Sequence, residues 1–145
     1  AACGGDEDSK ALASGYLQAL LVERAFERWD EFFAPDARIN GSGFAQRYME
    51  ETARGLAIGF PDLALSVDEQ LVDGDSVVTR FTLEGTHDGP FSSVAPTQRR
   101  VRFRGVAVDR LVEGRIVSSW QYIDLWNAAQ QLIARDRSAG RSVQQ

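Results

Sequence analysis

VRFRGVAVDRLVEGRIVSSWQYID, residues 101–124, alternates in character along almost its whole length. Val101, Phe103, Gly105, Ala107 and Asp109 share one parity, with arginines and valines between them. A period of two is the mark of a strand with one buried face. Glu113-Gly114 supplies the tight turn that folds the stretch back on itself. Beyond the turn, Ile116, Ser118, Trp120, Tyr122 and Asp124 share one parity of the returning strand. Upstream, Val77, Thr79, Phe81 and Leu83 alternate in the same way, and Leu63, Leu65 and Val67 do so before the Asp73-Gly74-Asp75 turn. Long strands linked by hairpins make a meander, which needs cover on one face to be stable.

The cover comes from the first half of the chain. Leu12, Tyr16, Leu20 and then Leu17, Leu21 recur at helical spacing, with Ser9 as the N-cap. Phe26, Trp29, Phe32 and Phe33 form a second apolar stripe that Pro35 ends, and Ala37–Asn40 reads as a short strand. A third helix over 45–58 carries Tyr48, Met49, Ala53, Leu56 and Ala57, with Ser42 or Gly43 as its cap. Leu125–Arg137 reads as a C-terminal helix. Helices first and strands after argue for an α+β domain, a curved antiparallel sheet covered by N-terminal helices. Twisted strands curling around short helices leave a cavity between the layers. The domain is expected over 10–137, after a disordered segment at 1–9 and before a flexible tail at 138–145.

Bulk composition is that of one globular domain: 145 residues, 43% hydrophobic, 26% charged. A formal net charge of -5 gives no electrostatic footprint for nucleic acid. Arg99, Arg100, Arg102 and Arg104 read as a solvated strand face. No run is long and apolar enough for a membrane span. Cys3 is the only cysteine, so no internal disulfide forms. Ala1-Ala2-Cys3-Gly4-Gly5 is similar to the end of a bacterial lipoprotein signal, in which Cys3 carries the lipid anchor; a disordered N-terminus or a cloning remnant is the other reading. The two readings imply an exported lipoprotein and a cytoplasmic protein respectively.

An ordered set of short motifs carries a resemblance. It comprises Phe60-Pro61-Asp62-Leu63, Asp73-Gly74-Asp75-Ser76-Val77-Val78, Gly85-Thr86-His87-Asp88-Gly89, Pro96-Thr97, Arg100-Val101-Arg102-Phe103-Arg104-Gly105, Gly114-Arg115-Ile116-Val117 and Trp120-x-x-x-Asp124. Over about residues 15–133 the chain resembles SnoaL-like polyketide cyclases. The resemblance implies a cone-shaped domain of the nuclear-transport-factor-two-like superfamily, with an apolar pocket between helices and sheet. It implies an enzyme, an isomerase or lyase, that closes a ring by intramolecular aldol condensation without metal or cofactor. It also implies Asp124 as the general base, and a homodimer formed through the convex sheet face. The chain departs from the family pattern at Arg110, where a histidine is usual, at Gln98 after Pro96-Thr97, and at Ser118-Ser119 before the tryptophan.

The residues themselves offer three places for chemistry. Alternation puts Trp120, Tyr122 and Asp124 on one face. If that face is concave, desolvation raises the Asp124 carboxyl toward the range a base on a carbon acid needs, with Tyr122 or Gln121 donating to the enolate oxygen. Asp124 also precedes a helix and suits its N-cap. His87, the only histidine, suits acid–base work near neutral pH, or else a turn or rim position; with no second His or Cys beside it, no metal site is expected. Asp109, Arg80 and Asp124 resemble an Asp–Arg–Asp arrangement that opens epoxides in a related cone fold, provided all three point inward. With Arg110 and Glu84 they otherwise read as convex-face charges. Tyr16, Trp29, Tyr48, Met49, Arg80, Phe81, Phe103 and Trp120 are the expected pocket wall. The readings that follow are a cofactor-free cyclase or isomerase on a small apolar carbonyl substrate, an epoxide-opening hydrolase, or a non-catalytic binder of a small apolar ligand. A structural homodimer without ligand is the remaining reading.

Overall fold

The structure, a computed structural model, describes residues 2–134. The expected tail at 138–145, residues 135–137 and the Cys3 side chain lie outside what it describes. Helix α1 (Ala2–Tyr16) runs without a break into a π-helical stretch, Leu17–Val22. A 3-10 turn (Phe26–Arg28) and the one-turn α2 (Trp29–Phe32) follow. Then come β1 (Phe33–Ile39), α3 (Ala45–Gly59), β2 (Ala64–Asp73), β3 (Ser76–Thr86), β4 (Arg100–Val112), β5 (Arg115–Ile123) and α4 (Leu125–Ile133). The strands form one curved, unclosed sheet in the order β1-β5-β4-β3-β2.

Three expectations change at this level. Residues 2–9, expected to be disordered, are helical, and Ser9 lies inside α1 instead of capping it. Strand β1 starts at Phe33 and runs parallel to β5, so the sheet is mixed and not antiparallel throughout. Its pairing is sparse, at Phe33, Arg38 and Ile39 only, because Pro35 has no N–H to give the ladder. Third, β5 holds a bulge. Arg110 pairs with Ser118 but Leu111 pairs with Ile116, leaving Val117 as an extra residue. One extra residue reverses the facing of everything after it. Ile116 points inward, and so do Ser119 and Gln121, while Trp120 and Tyr122 turn out.

The turns follow their chemistry. Gly74 opens the β2–β3 hairpin at φ 62°, and Glu113-Gly114 closes β4–β5 with both residues at positive φ, 51° and 77°. The inner face of β3 and β4 supplies Val77, Phe81, Leu83, Val101, Phe103 and Ala107 to a core shared with Tyr16, Leu20, Met49, Ala53 and Leu56 from the helices. Phe103 packs on Phe60 with ring centroids 5.6 Å apart. Gly105 lets Phe81 approach the β4 backbone: a Cβ there would stand 2.5 Å from the Phe81 ring.

Candidate functional site

Asp109 is a carboxylic acid on the apolar parity of β4, and it is completely buried. An unpaired carboxylate there would be costly, so the surroundings supply partners. Tyr16, at the last position of α1, places its hydroxyl 2.9 and 3.0 Å from the two Asp109 oxygens. Ser119 Oγ lies 3.3 Å from the same hydroxyl. The Gln121 amide donates to Ser119 Oγ at 3.1 Å and to Tyr16 Oη at 3.3 Å, with Met49 Sδ 3.7 Å away. Burial pushes the Asp109 carboxyl up to about 7, against the opposing pull of its hydrogen bonds with Ser119 and Tyr16. Burial and then the adjacent Asp109 charge hold the Tyr16 phenol well above its ordinary value. Such a pair can hold one mobile proton near neutral pH without losing it to solvent.

Gln121 connects this cluster to the outside. It is 9% exposed and belongs to a cleft of about 260 Å³ lined also by Asn40, Tyr48, Thr52, Tyr122, Ile123 and Leu125. Asn40 holds it in place. At φ 50°, just past β1, Asn40 accepts from the Gln121 N–H at 2.7 Å and donates to the Gln121 carbonyl at 3.0 Å. Its Nδ2 also donates to the Tyr48 hydroxyl at 2.9 Å. The Asn40 side chain therefore extends the β1–β5 ladder by imitating backbone.

The sequence-predicted residues divide between two faces. Tyr16 and Met49 belong to the cluster, and Phe81 and Phe103 are buried in the core further along β3 and β4. Trp29 is buried too, stacked on Phe33 at 4.1 Å. Tyr48 sits on the rim of the cleft, 38% exposed. Asp124, Tyr122 and Arg80 do meet, but on the outer face, where they line an open groove of about 440 Å³ with Arg104, Gly105, Val106 and Ile123. Asp124 is exposed, and its Oδ1 accepts from the Asn127 N–H at 2.9 Å as the N-cap of α4. Tyr122 is 58% and Trp120 45% exposed. The concave-face expectation for these residues fails because of the Val117 bulge. Arg80 faces Asp68 at 3.7 Å and Glu69 at 4.0 Å; Arg110 pairs with Asp75, and Glu84 with Arg100 and Arg102. The Asp–Arg–Asp arrangement is not formed, since Asp109 alone of the three points inward. The outer groove is larger, but its carboxylate is solvated; the smaller cleft has a desolvated acid behind it, and chemistry favours the smaller.

His87 is fully buried, not at a rim. Its Nδ1 accepts the Thr97 N–H at 3.1 Å and lies 2.9 Å from Thr97 Oγ1, so the ring proton sits on Nε2. It straps the 88–99 loop to the end of β3. That end is nine residues from Val77, the cross-strand neighbour of Asp109, or about 30 Å along the strand. His87 and Asp109 do not form one site. Arg99 leaves the arginine face altogether and donates to the Gln131, Leu132 and Ala134 carbonyls that end α4.

Much of the cluster is marked in the sequence. Tyr16 and Met49 stand in the expected pocket wall, Gln121 among the expected donors, and Asp109 on an apolar parity, although there it reads with the Asp–Arg–Asp set or as a convex-face charge. Ser119 is hidden by the bulge, which leaves no compositional trace.

The SnoaL-like polyketide cyclase family model matches residues 11–132. The chain belongs to the SnoaL-like polyketide cyclase family. Solved members and neighbours agree in fold. IdmH, a proposed polyketide cyclase from Streptomyces antibioticus, is 26% identical with a TM-score of 0.76, covering 87% of this chain and 99% of that one. AclR, a proposed hydroxylase from Streptomyces galilaeus, is 27% identical with a TM-score of 0.74, covering 87% and 96%. TsrD from Streptomyces laurentii is 25% identical with a TM-score of 0.73, covering 89% and 97%. No curated protein sequence matches the chain. Among the described residues no helix is long and apolar enough to cross a membrane.

Proposed function

We propose that this SnoaL-like chain catalyses acid–base chemistry on a small, enolisable, polyketide-like carbonyl compound, with Asp109 as the proton acceptor and Tyr16 as the relay. The observation that carries it is the Tyr16 hydroxyl bonded to both oxygens of a buried Asp109 behind a single amide, Gln121. A substrate in the cleft gives a proton to Tyr16 Oη while the Tyr16 hydrogen passes to Asp109. The substrate becomes an enolate, and the same path returns the proton after the new bond forms. A carboxyl held near neutrality is matched to such a two-way transfer, and its dry surroundings strengthen each hydrogen bond along the path.

The test follows α-proton exchange of 1-tetralone in D2O by NMR. Asp109→Asn and Tyr16→Phe are expected to lose about 10² or more of the enzyme's acceleration, while Asp124→Asn stays within about threefold of the parent. Exchange that survives Asp109→Asn in a folded variant ends the reading. The complete burial of Asp109 favours one second reading, a domain that binds such a compound without turning it over; its signature is binding without exchange.

A further inference from the structure

The hydrogen-bond polarity of the cluster says more about the ligand than its shape does, given the Proposed-function reading of the site. An ionised carboxylate only accepts, so with Asp109 charged the Tyr16 O–H points at it. Tyr16 then offers lone pairs to whatever lies on its other side, and the group there is the Gln121 NH2, which also meets Ser119 Oγ and Met49 Sδ. These contacts, 3.1 to 3.7 Å, are longer than the 2.9 and 3.0 Å bonds between Tyr16 and Asp109. The amide is thus a loosely held donor at the mouth of a tightly held pair. Its Oε1 has no hydrogen-bond partner among the described residues. Nor is that oxygen a buried orphan, so it reaches water, and the cleft is the open space beside it.

We propose that Gln121 is a placeholder: a planar O–H acid, an enol or a phenol, enters the cleft and puts its hydroxyl where the Gln121 NH2 now donates to Tyr16 and Ser119. When a proton reaches Asp109 the chain of bonds reverses. Asp109 donates to Tyr16 Oη, the Tyr16 hydrogen turns outward, and the same position takes an acceptor oxygen, a carbonyl or enolate. The site recognises a donor before the transfer and an acceptor after it. Aromatic and aliphatic side chains on the rim, Tyr48, Tyr122 and Leu125, suit a flat apolar body behind that oxygen. The groups around Asp109 are Tyr16 from α1, Ser119 from β5 and Val77 across from it on β3, with Gln121 one step further out on Tyr16 and Ser119. Tyr16 is the one titratable partner among the described residues, so the reversal belongs to this pair.

The experiment is calorimetric titration with 2-naphthol, its methyl ether, which has no donor, and 1-tetralone, which only accepts. At about pH 8 naphthol is expected to bind about tenfold more tightly than the ether. At about pH 5 that ratio falls toward one and 1-tetralone gains. Gln121→Ala, with its folding checked by thermal unfolding, binds naphthol about threefold or more tighter than the parent, since no amide has to leave. Asp109→Asn removes the pH dependence of both ligands. Equal affinity for naphthol and its ether at about pH 8, or a preference unchanged by Asp109→Asn, overturns the inference. Loss of 1-tetralone exchange in Asp109→Asn alongside equal naphthol and ether binding sinks the placeholder alone. Retained exchange with an intact naphthol preference sinks only the base assignment.

Discussion

Asp109 couples the site to stability. Its carboxyl is raised from 3.8 to about 7, so the folded state keeps a proton that the unfolded chain releases. For a raised acid the sign is fixed: its contribution is fully present below about pH 4, declines through the interval up to about pH 7, and is flat above it. The Tm of the parent, measured against Asp109→Asn, is expected to fall across that window; a constant difference between the two would show that the acid is not desolvated. Asp124 does other work. Its carboxylate caps α4, and Asp124→Ala should cost about 1 kcal/mol in a denaturant titration while leaving proton exchange close to that of the parent.

At the scale of elements, two close fits hold the inner face in position. Gly105 stands where a Cβ would press 2.5 Å from the Phe81 ring and 3.0 Å from the Tyr122 carbonyl. Gly105→Ala should therefore destabilise by about 1–3 kcal/mol, read as a lowered urea midpoint at unchanged slope. The other is the Val117 bulge, which also marks the limit of what sequence could reveal. Alternation located β2 to β5, both hairpin turns and the helical cover, because each is written in local pattern. The facing of residues 118–124 is not local. It depends on one residue inserted opposite the Arg110–Leu111 step, and nothing in Ile116-Val117-Ser118 distinguishes a bulged strand from a regular one. The same insertion explains the site: reading on by twos from Ile116 leads to Trp120, Tyr122 and Asp124, whereas the chain presents Ser119 and Gln121 to the interior. Strand β1 is legible only at its far end, over 37–40; its start at Phe33 and its parallel pairing are not, since its partner lies far along the sequence and Pro35 weakens its own pattern. Asp109 lies among valine, phenylalanine and alanine, yet the sequence alone reads it equally as a convex-face charge, because its Tyr16 partner lies 93 residues away.

For the whole molecule, the bulge leaves an apolar band on the outer face. Leu71, Val78, Val108 and Trp120 lie side by side across four strands, with Leu71 58% and Trp120 45% exposed. A band of that kind is typical of a surface meant for contact. We infer that two copies pair through it, and Val108→Glu is expected to convert a dimer into a monomer in sedimentation equilibrium; a parent that sediments as a monomer at tens of micromolar, on the order of ordinary dimer constants, contradicts this. The three tryptophans record these events separately. Trp29 is 8% exposed and stacked on Phe33, whereas Trp126 is 72% exposed in the first turn of α4 and Trp120 lies on the outer band. In the monomeric Val108→Glu variant iodide should quench Trp120 and Trp126 and leave the blue-shifted emission of Trp29. With the quencher present, the intrinsic fluorescence of this chain becomes a one-residue reporter of whether the helical layer is still seated, and without it, self-association darkens or shifts only the red edge of the spectrum.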